Sequence, residues 1–338
     1  MDQKKAYARA GVDVDLGNRL KGGIHKLVRQ THGPEVLGKI GGFGGLFAAN
    51  FSGMREPVLV SSIDGVGTKL KIAFALDRHD TVGADLVNHC INDIAVLGAR
   101  PLFFLDYIGA EKLEPRVFGQ ILRGFTRACR AGSCALVGGE TAQMPGMYRR
   151  GEYDLAGCIV GVVDRARMID GRRIKPGDLI LGLPSNGLHT NGYSLARKIF
   201  FEHLRLKPAA RLEGLRLSLG EELLRTHKNY QPLLAQVPNG KLKGLAHITG
   251  GGLLDNLPRV LPNDCDAVIE TASWTVPPIF RLLEKHGRVE RTEMYQVFNM
   301  GIGMAAIVAP RDAAALAKQL RAKVIGRIES GSGLTRLL

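Results

Sequence analysis

The stretch SSIDGVGTKLK at residues 61–71 places an acid, two glycines, a hydroxyl and two lysines directly after a strand-like apolar run. The glycines allow backbone N–H groups to turn toward an anion, and Lys69 adds a point charge that suits phosphate. A Walker A loop has the lysine before the hydroxyl residue, whereas Thr68 precedes Lys69 here. Asp64 is a typical oxygen ligand for Mg²⁺. We predict a phosphate and metal loop, with a simple β-turn and a solvated Lys69 as the alternative. The residues concerned are Asp64, Gly65, Gly67, Thr68 and Lys69.

The segment DLVNHCINDIAVLGA (85–99) concentrates polar residues at helical spacing. At about 100° per residue, one arc carries two carboxylates, two amides and an imidazole, and the opposite arc is apolar. The polar arc consists of Asp85, Asn88, His89, Asn92 and Asp93. It lacks the Lys and Glu that are usual on a solvated helix. We therefore predict the wall of a site, with Asp93 as a second Mg²⁺ ligand, while ordinary surface polarity is the alternative.

A third group follows the apolar run ALVGG (135–139). Ligands in α/β folds bind beyond the carboxyl ends of strands, and this run ends in Gly138, Gly139, Glu140 and Thr141. Glu140 is the third carboxylate predicted to face the metal. A strand followed by a turn with a solvated Glu140 is the alternative.

Two further loops lie in the second half of the chain. His189 stands between two Asn-Gly pairs in SNGLHTNGYS, an unusual place for a histidine that only packs. Thr249 and the glycines 250–252 precede a helix pattern, whose N-terminus would attract a phosphate. A flexible turn also uses such a glycine triplet. His247 lies inside a strand pattern and is interpreted as structural.

These loops require strands and helices to position them, and the two patterns alternate as in an α/β or α+β chain. Predicted strands are 58–63, 102–108, 134–139, 155–163, 178–184, 245–249, 266–270 and 304–310. Predicted helices include 81–99, 114–132 and 193–204. The charged, turn-rich segment 164–178 is interpreted as a linker. It separates two predicted domains, residues 1–165 and 174–338.

Composition limits the class of protein. Hydrophobic residues make up 45% and charged residues 23%, as in a globular chain with a core. The longest apolar runs are too short to span a bilayer, the start lacks an export signal, and five cysteines show no paired spacing. A cytoplasmic protein without a membrane partner is expected. The residues that give the net charge of +14 are scattered along the chain, and there is a single Trp for base stacking, so nucleic-acid binding is not expected. A positive field that attracts phosphorylated metabolites, or a charge that only keeps the protein soluble, explains the composition better.

In their order along the chain, the motifs closely resemble the phosphoribosylformylglycinamidine cyclo-ligase (AIR synthase) family. The resemblance covers nearly the whole chain. It is carried by GVDVDLGN (11–18), DGVGTKLK (64–71), DLVNHCINDIAVLGARPLFFLDYI (85–108), VGGETAQMPGMY (137–148), SNGLHTNGYSLARKI (185–199), HITGGGLLDNLPRVLP (247–262) and EMYQVFNMGIGM (293–304). The wider superfamily, which includes thiamine-monophosphate kinase, shares only the acidic ATP-handling core.

The resemblance implies an α/β fold of two domains. The N-terminal domain (1–165) would bind ATP and Mg²⁺ and pair its mixed sheet across a homodimer, and the C-terminal domain (174–338) would bind substrate and phosphate. The resemblance also implies an ATP- and Mg²⁺-dependent ring closure of formylglycinamidine ribonucleotide to aminoimidazole ribonucleotide. The implied catalytic residues are His189, Asp93 and Lys26. Ile24 is followed by His25 where the family pattern has a lysine, so either Lys26 takes that role with a small shift or His25 substitutes for it. The resemblance further implies nucleotide and phosphate contacts from residues 64–69 and from Gly138, Gly139 and Thr141, metal ligation by Asp64, Asp93 and Glu140, and substrate contacts from Asn191, Thr249 and Gly250–Gly252.

Two other functions remain open from the sequence. Another ATP-dependent member of the superfamily, such as a small-molecule kinase, would leave the phosphoryl group on its product instead of releasing it. A basic binding protein would use the same loops for nucleotides or RNA, and its binding would weaken steeply with salt.

Overall fold

The structure is a computed structural model that describes residues 6–38 and 40–338. Its strands are β1 (Pro57–Gly65), β2 (Arg100–Ala110), β3 (Ala135–Gln143), β4 (Tyr153–Asp164), β5 (Leu179–Pro184), β6 (Leu242–His247), β7 (Cys265–Ile269), β8 (Ile302–Val308), β9 (Lys323–Ser330) and β10 (Thr335–Leu337). Its α-helices are α1 (Ala6–Arg9), α2 (Val14–Arg29), α3 (Leu70–Leu76), α4 (Val82–Ala95), α5 (Pro115–Ala131), α6 (Tyr193–Arg197), α7 (Leu219–Leu223), α8 (Gln231–Leu234), α9 (Gly252–Asn256), α10 (Pro278–Gly287), α11 (Arg291–Val297) and α12 (Pro310–Leu320). A π-helix (Lys198–His203) continues α6.

The N-terminal half, up to residue 164, is built on a four-stranded sheet with the order β1-β4-β2-β3. β2 and β3 are parallel, and the other neighbours are antiparallel. Helices α4 and α5 cover one face of this sheet, and they approach closely because Gly83 and Gly124 lie where they meet. A Cβ at Gly124 would lie 2.7 Å from the carbonyl oxygen of Asp80. The site residues of this half lie on α4 and at the end of β1.

The C-terminal half, from residue 179, is built on a six-stranded sheet with the order β10-β7-β9-β5-β8-β6. Only β10 and β7 are parallel in it. β8, which lies between β5 and the edge strand β6, is buried along its whole length, as expected of a strand covered on both faces. β6 ends at His247, so the glycine loop that follows it emerges at the edge of this sheet.

Two mixed sheets with helices confirm the predicted α/β class. The predicted strands all occur, with ends shifted by a few residues. The predicted helix 81–99 is shorter, since α4 ends at Ala95. α2, β9 and β10 were not predicted. α2 carries two adjacent glycines at 22–23, and Gly326 breaks the apolar sequence pattern of β9. Within the described ranges, no helix combines the length and the hydrophobicity needed to cross a membrane.

Candidate active site

An irregular segment of the C-terminal half covers the polar face of α4. Asn88 Nδ2 donates to the carbonyl oxygen of His227 (2.7 Å), and Asn92 Nδ2 donates to that of Lys228 (2.8 Å). The amide of Tyr230 donates back to Asn92 Oδ1 (2.9 Å). Buried backbone groups must be paired, and these short amides pair them where no strand is adjacent. The pattern predicts a site wall along the whole face, but most of that face is an interface between the two halves.

Lys69 and Asp85 form a buried ion pair at this interface. Lys69 Nζ lies 2.8 Å from Asp85 Oδ1 and donates to the carbonyl oxygens of His189 (2.9 Å) and Arg225 (2.6 Å). The amide of His227 donates to the same Asp85 oxygen (2.6 Å). Burial lowers the pKa of Lys69, and the Asp85 carboxylate opposes that shift. All three ammonium hydrogens are used and the side chain is 0% exposed. Lys69 therefore faces the C-terminal half, whereas the sequence predicts that it faces a phosphate.

Asp64 and Asp93 converge at the rim of the interface, each beside an imidazole. Asp64 Oδ2 lies 3.0 Å from His89 Nε2, which is 3.7 Å from Asp93 Oδ2. Asp93 also accepts from Ser62 Oγ (3.0 Å), and its Oδ1 lies 2.7 Å from His247 Nδ1. Burial alone would raise the pKa of both carboxyls. His89 and the amide of Gly65 hold the pKa of Asp64 below its ordinary value, and His247, His89 and Ser62 do the same for Asp93. Both carboxylates are ionised and partly open to solvent.

A hydrogen-bonded chain joins these carboxylates through three imidazoles and one hydroxyl. It runs from Asp64 to His89 (3.0 Å), Thr190 (2.8 Å), His227 (3.3 Å), His247 (3.0 Å) and Asp93 (2.7 Å). Burial lowers the pKa of His89, but the hydrogen bond to Asp64 and the nearby carboxylates raise it above its ordinary value.

His189 is next to this hydrogen-bonded series but is not part of it. Its ring is stacked on that of His227, with the ring centroids 4.1 Å apart. It has a φ of 61°, which is uncommon for a residue other than glycine, and it is 1% exposed. Its carbonyl oxygen is held by Lys69 Nζ and by the Tyr193 hydroxyl (3.1 Å). Its Nε2 accepts from the amide of Asn186 (3.4 Å), and its buried Nδ1 has no partner among the described residues. Burial lowers the pKa of His189 well below its ordinary value, so the ring is neutral.

The buried histidines make stability depend on pH in a defined direction. The pKa values of His189 and His227 lie well below the ordinary 6.5, mainly because of burial, so these groups stabilise the fold above pH 6.5. That contribution is lost as pH falls below 6.5, by up to about 1.4 kcal/mol per pH unit for each histidine. His89 acts in the opposite sense, since its pKa is raised and its contribution is lost as pH rises above 6.5. Urea unfolding is expected to show a net fall in stability from pH 7.5 to 5.5.

A matched pair of variants tests the source of this pH dependence. Replacing the buried His227 by Asn is expected to reduce the slope below pH 6.5, because one group that must charge on unfolding is removed. Replacing the exposed His286 by Gln is expected to leave the slope unchanged. Stability that stays level or rises on acidification would contradict the assignment of neutral histidines.

The two glycine loops each contact the segment 191–194 of the C-terminal half. Thr68 Oγ1 lies 3.0 Å from Ser194 Oγ, which brings the exposed loop at Gly67 to the C-terminal half. A Cβ at Gly250 would lie 3.4 Å from Asn191 Oδ1, so these two predicted substrate residues are neighbours.

The loop from Thr249 to α9 is closed by Asn256. Its Nδ2 donates to the carbonyl oxygens of Gly250 (3.1 Å) and Gly252 (2.7 Å). Gly251 has a φ of 94°, which favours glycine. The predicted helix after the glycines is present but contains only five residues.

The third carboxylate predicted for the metal lies elsewhere. The strand register puts Asp64 level with Gly139, with β4 and β2 between them. Three strand spacings amount to about 14 Å. Glu140 follows Gly139, so its side chain points to the opposite face of the sheet. The structure does not bring Glu140 to Asp64 and Asp93, and it places Gly138, Gly139 and Thr141 with Glu140 on β3.

Lys26 belongs to this β3 side as well. It is exposed on α2, which is held along β3 near both ends. Gln143 Nε2 donates to the carbonyl oxygen of Asp13 (3.0 Å), and His32 Nε2 is hydrogen-bonded to that of Leu136 (2.7 Å). The predicted site residues therefore form two groups, one at the interface of the halves and one along β3.

Sequence reasoning missed three members of the interface group. Thr190 and His227 were not singled out, and His247 was interpreted as structural. His227 lies in RTHKNY, which has no periodicity or glycine signal to mark it. His247 does fit a strand pattern, and only the packing of β6 against α4 brings its ring to Asp93. No local signal identifies these contacts. Those of Thr190 to His89 and of His247 to Asp93 span more than 100 residues, and those of His227 to Thr190 and His247 span 37 and 20 residues.

The arrangement fits a Mg²⁺ ion at Asp64 and Asp93 but not at Glu140. Mg²⁺ commonly uses one or two protein carboxylates together with water and substrate phosphates. Ligating carboxylates are usually held by further hydrogen bonds, as His89, His247 and Ser62 hold these two. The donor set is therefore suitable for a metal that is also bound by a phosphate.

Comparison with known proteins places the chain among relatives of similar length. Residues 50–163 match the N-terminal domain, and residues 175–337 the C-terminal domain, of AIR synthase related proteins. A phosphoribosylformylglycinamidine cyclo-ligase of Syntrophotalea carbinolica is 54% identical over 92% of this chain and 90% of its own length. The enzyme of the same name from Geobacillus kaustophilus is 50% identical over 98% of this chain and 97% of its own length.

Solved structures with lower sequence identity share the fold. A thiamine-monophosphate kinase from Stenotrophomonas maltophilia has a TM-score of 0.68 at 21% identity, and the match covers 95% of both chains. The hydrogenase maturation protein HypE, solved in complex with ATP, has a TM-score of 0.66 at 18% identity over 95% of this chain and 90% of its own. At these identities the likeness concerns the fold alone.

Proposed function

The chain belongs to the phosphoribosylformylglycinamidine cyclo-ligase family, and we propose that it uses ATP to close the imidazole ring of formylglycinamidine ribonucleotide at the interface of its two halves. The observation that carries the location is the convergence of Asp64, Asp93 and His247 from both halves, close to the Gly250 loop. The relatives named above share about half of their residues with this chain over nearly its whole length. The kinase alternative has only a likeness of fold in its favour.

The reaction explains why such a site must neutralise the charge of the transferring phosphoryl group and does not need a strong protein nucleophile. The attacking amidine nitrogen and the formyl carbon belong to one molecule, and such geometry is worth about 7–11 kcal/mol. The formyl oxygen is a poor leaving group, so the γ-phosphoryl group of ATP is transferred to it. The nitrogen then forms the new C–N bond, the C–O bond breaks, and phosphate, ADP and one proton are released. Phosphoryl transfer depends mainly on positioning and charge neutralisation.

We assign the two carboxylates at the interface to the metal. Asp64 and Asp93 would hold Mg²⁺, which when bound neutralises charge on the transferring phosphoryl group. His89 keeps both carboxylates in place from behind, since its Nε2 is within 3.7 Å of each. Lys69 keeps the Asp64 loop and the C-terminal half together without contacting ATP.

The other predicted residues take roles according to their group. Asn191, Thr249 and the Gly250 loop would bind the phosphate of the substrate, since this loop lies beside the cluster. A neutral His189 whose Nε2 accepts from Asn186 carries its proton on Nδ1, where no described residue partners it. We assign this Nδ1–H as a hydrogen-bond donor to the departing oxygen that keeps its proton, which requires the two halves to open. Gly138, Gly139 and Thr141 on β3 remain assigned to the nucleotide, and Lys26 remains assigned to catalysis.

Coupled product formation tests the proposal. The purified protein is incubated with ATP and Mg²⁺, with and without formylglycinamidine ribonucleotide, while phosphate release and aminoimidazole formation are both measured. Equal, substrate-dependent amounts of the two products are expected. Phosphate release with no aminoimidazole, or the transfer of phosphate to a stable product, would overturn the ring-closure assignment and favour a kinase.

We also propose that the chain dimerises through the uncovered face of its N-terminal sheet. Ile63 and Leu59 on β1 are 72% and 63% exposed on the face opposite α4. Cys158 and Val160 of β4 lie on the same face by their register. Adjacent exposed apolar side chains usually mark a contact with another protein. Burying this face in a second copy of the chain accounts for them.

A charge on this face is expected to separate the subunits. Ile63→Glu would place a carboxylate in the contact, where its desolvation opposes association. Sedimentation velocity is expected to give a dimer for the unchanged protein and a monomer for the variant. Leu334→Glu changes a residue of similar exposure (57%) in the C-terminal half and is expected to leave the dimer intact. A variant at Ile63 that remains dimeric would exclude this face.

We propose the domain limits 1–165 and 174–338 and a cytoplasmic location for the protein. Matches at 50–163 and 175–337 support a boundary close to the predicted limits of 165 and 174. All five cysteines lie within the described residues as free thiols, which supports a reducing compartment such as the cytoplasm.

A further inference from the structure

The carboxylate rim also contains a second kind of donor set. His89, Asp93 and His247 each offer one ligand atom, and these atoms lie within 4.8 Å of one another. The carboxylate of Asp64 is 3.0 Å from His89 Nε2, so a fourth donor is adjacent. Around a tetrahedral zinc ion, nitrogen and oxygen ligands lie about 3.3 Å apart. In this cluster His247 Nδ1 lies 2.7 Å from Asp93 Oδ1 and His89 Nε2 lies 3.7 Å from Asp93 Oδ2, one distance shorter and one longer than that spacing.

The donor atoms are supported as metal ligands usually are. A histidine that binds a metal commonly hydrogen-bonds through its other ring nitrogen, which fixes the ring. His89 does so through Nδ1 to Thr190 Oγ1 (2.8 Å), and His247 through Nε2 to His227 Nε2 (3.0 Å). Asp93 is held by Ser62 Oγ (3.0 Å). The two rings are almost fully buried, so their orientation is set before any ion arrives.

We propose that His89, Asp93 and His247 bind a divalent transition metal that accepts imidazole ligands, such as Zn²⁺ or Co²⁺, with Asp64 as the fourth ligand. Mg²⁺ prefers oxygen donors only, whereas two imidazoles and a carboxylate select first-row transition metals. The inference concerns an ion other than the proposed catalytic Mg²⁺. It stands on the geometry of these side chains alone, so it survives if the ring-closure assignment fails.

The placement of the ligands determines what such an ion does. His89 and Asp93 belong to α4, and His247 ends β6, so the metal links the two halves of the chain. An ion there holds α4 and the end of β6 together, as they are in this structure, and it occupies the carboxylates assigned to Mg²⁺. The site is therefore inhibitory for a reaction that needs those carboxylates, and a chelator reverses the inhibition.

Titration of the metal-free full-length protein with Zn²⁺, without ATP or substrate, tests the site directly. Calorimetry is expected to show one ion per chain. His247→Gln and His89→Gln are each expected to weaken binding by more than about 100-fold, because loss of a ligand exceeds the 10–100-fold effect typical of outer contacts. Thr190→Val is expected to weaken it by about 10–100-fold. His286→Gln, at an exposed histidine, is the control that leaves binding unchanged.

Measurements on the unaltered protein keep the test decisive if a variant fails to fold. The Co²⁺ form is expected to show an absorption spectrum of nitrogen and oxygen ligands without a thiolate band, and Zn²⁺ is expected to raise the unfolding temperature. Zn²⁺ binding of equal strength in folded His247→Gln would overturn the proposal. So would a thiolate band, or loss of the ion in Cys158→Ser, since Cys158 is the least buried cysteine.

Discussion

Asp93→Asn is expected to lower kcat for aminoimidazole formation by about 10²–10³-fold at saturating ATP and substrate. This is the size of effect seen when one preorganised group that stabilises transition-state charge is removed. The asparagine keeps the volume of the side chain and one oxygen, so His247 and Ser62 retain a partner. What is lost is the negative charge beside Asp64, which our assignment requires for the metal. Steady-state measurement of both products gives the value.

Asp80→Asn is the matched control for this variant. Its side chain is 32% exposed, compared with 24% for Asp93, and it also lies beside α4. Its partners are surface arginines, so kcat is expected to change by less than about twofold, in line with the small energies of surface ion pairs. Asp93→Asn with near-normal kcat, in a protein of unchanged fold, would remove Asp93 from the mechanism.

Lys69→Met is expected to lower the free energy of unfolding by about 3–5 kcal/mol, because it leaves the buried Asp85 carboxylate without its partner. It also removes the donor to the carbonyl oxygens of His189 and Arg225. His189 then loses a contact that holds its left-handed backbone conformation. Urea unfolding measures the change, and kcat is expected to fall as well.

Two further variants show whether the ion pair itself is responsible. Lys71→Met removes a partly exposed lysine paired with Glu152, and it is expected to cost less than about 1 kcal/mol. In Lys69→Met combined with Asp85→Asn, the unpaired charge is gone while an oxygen remains for the amide of His227. This double variant is expected to be more stable than Lys69→Met alone. Equal stability of the two would mean that lost packing, not an unpaired charge, dominates.

Local patterns were sufficient to predict most of the strands and the family. Residues at helical spacing share a face whatever covers that face, so the polar arc of α4 was predicted correctly as an arc. Short apolar runs predicted β1 to β4, and the ordered motifs predicted the family. In each case the cause lies within a few neighbouring residues, through side-chain spacing and turn chemistry.

Tertiary structure decided what each of these surfaces touches. Asn88 and Asn92 pair with the backbone near residue 228, which their spacing could not reveal, since the partner is about 140 positions away. Sheet order separates Glu140 from Asp64, although both follow strand patterns. His247 became a partner of Asp93 through the packing of one half on the other. The sequence determined which groups are available, because covalent spacing is local. Only the folded chain determined which groups meet, because burial and pairing join residues distant in sequence.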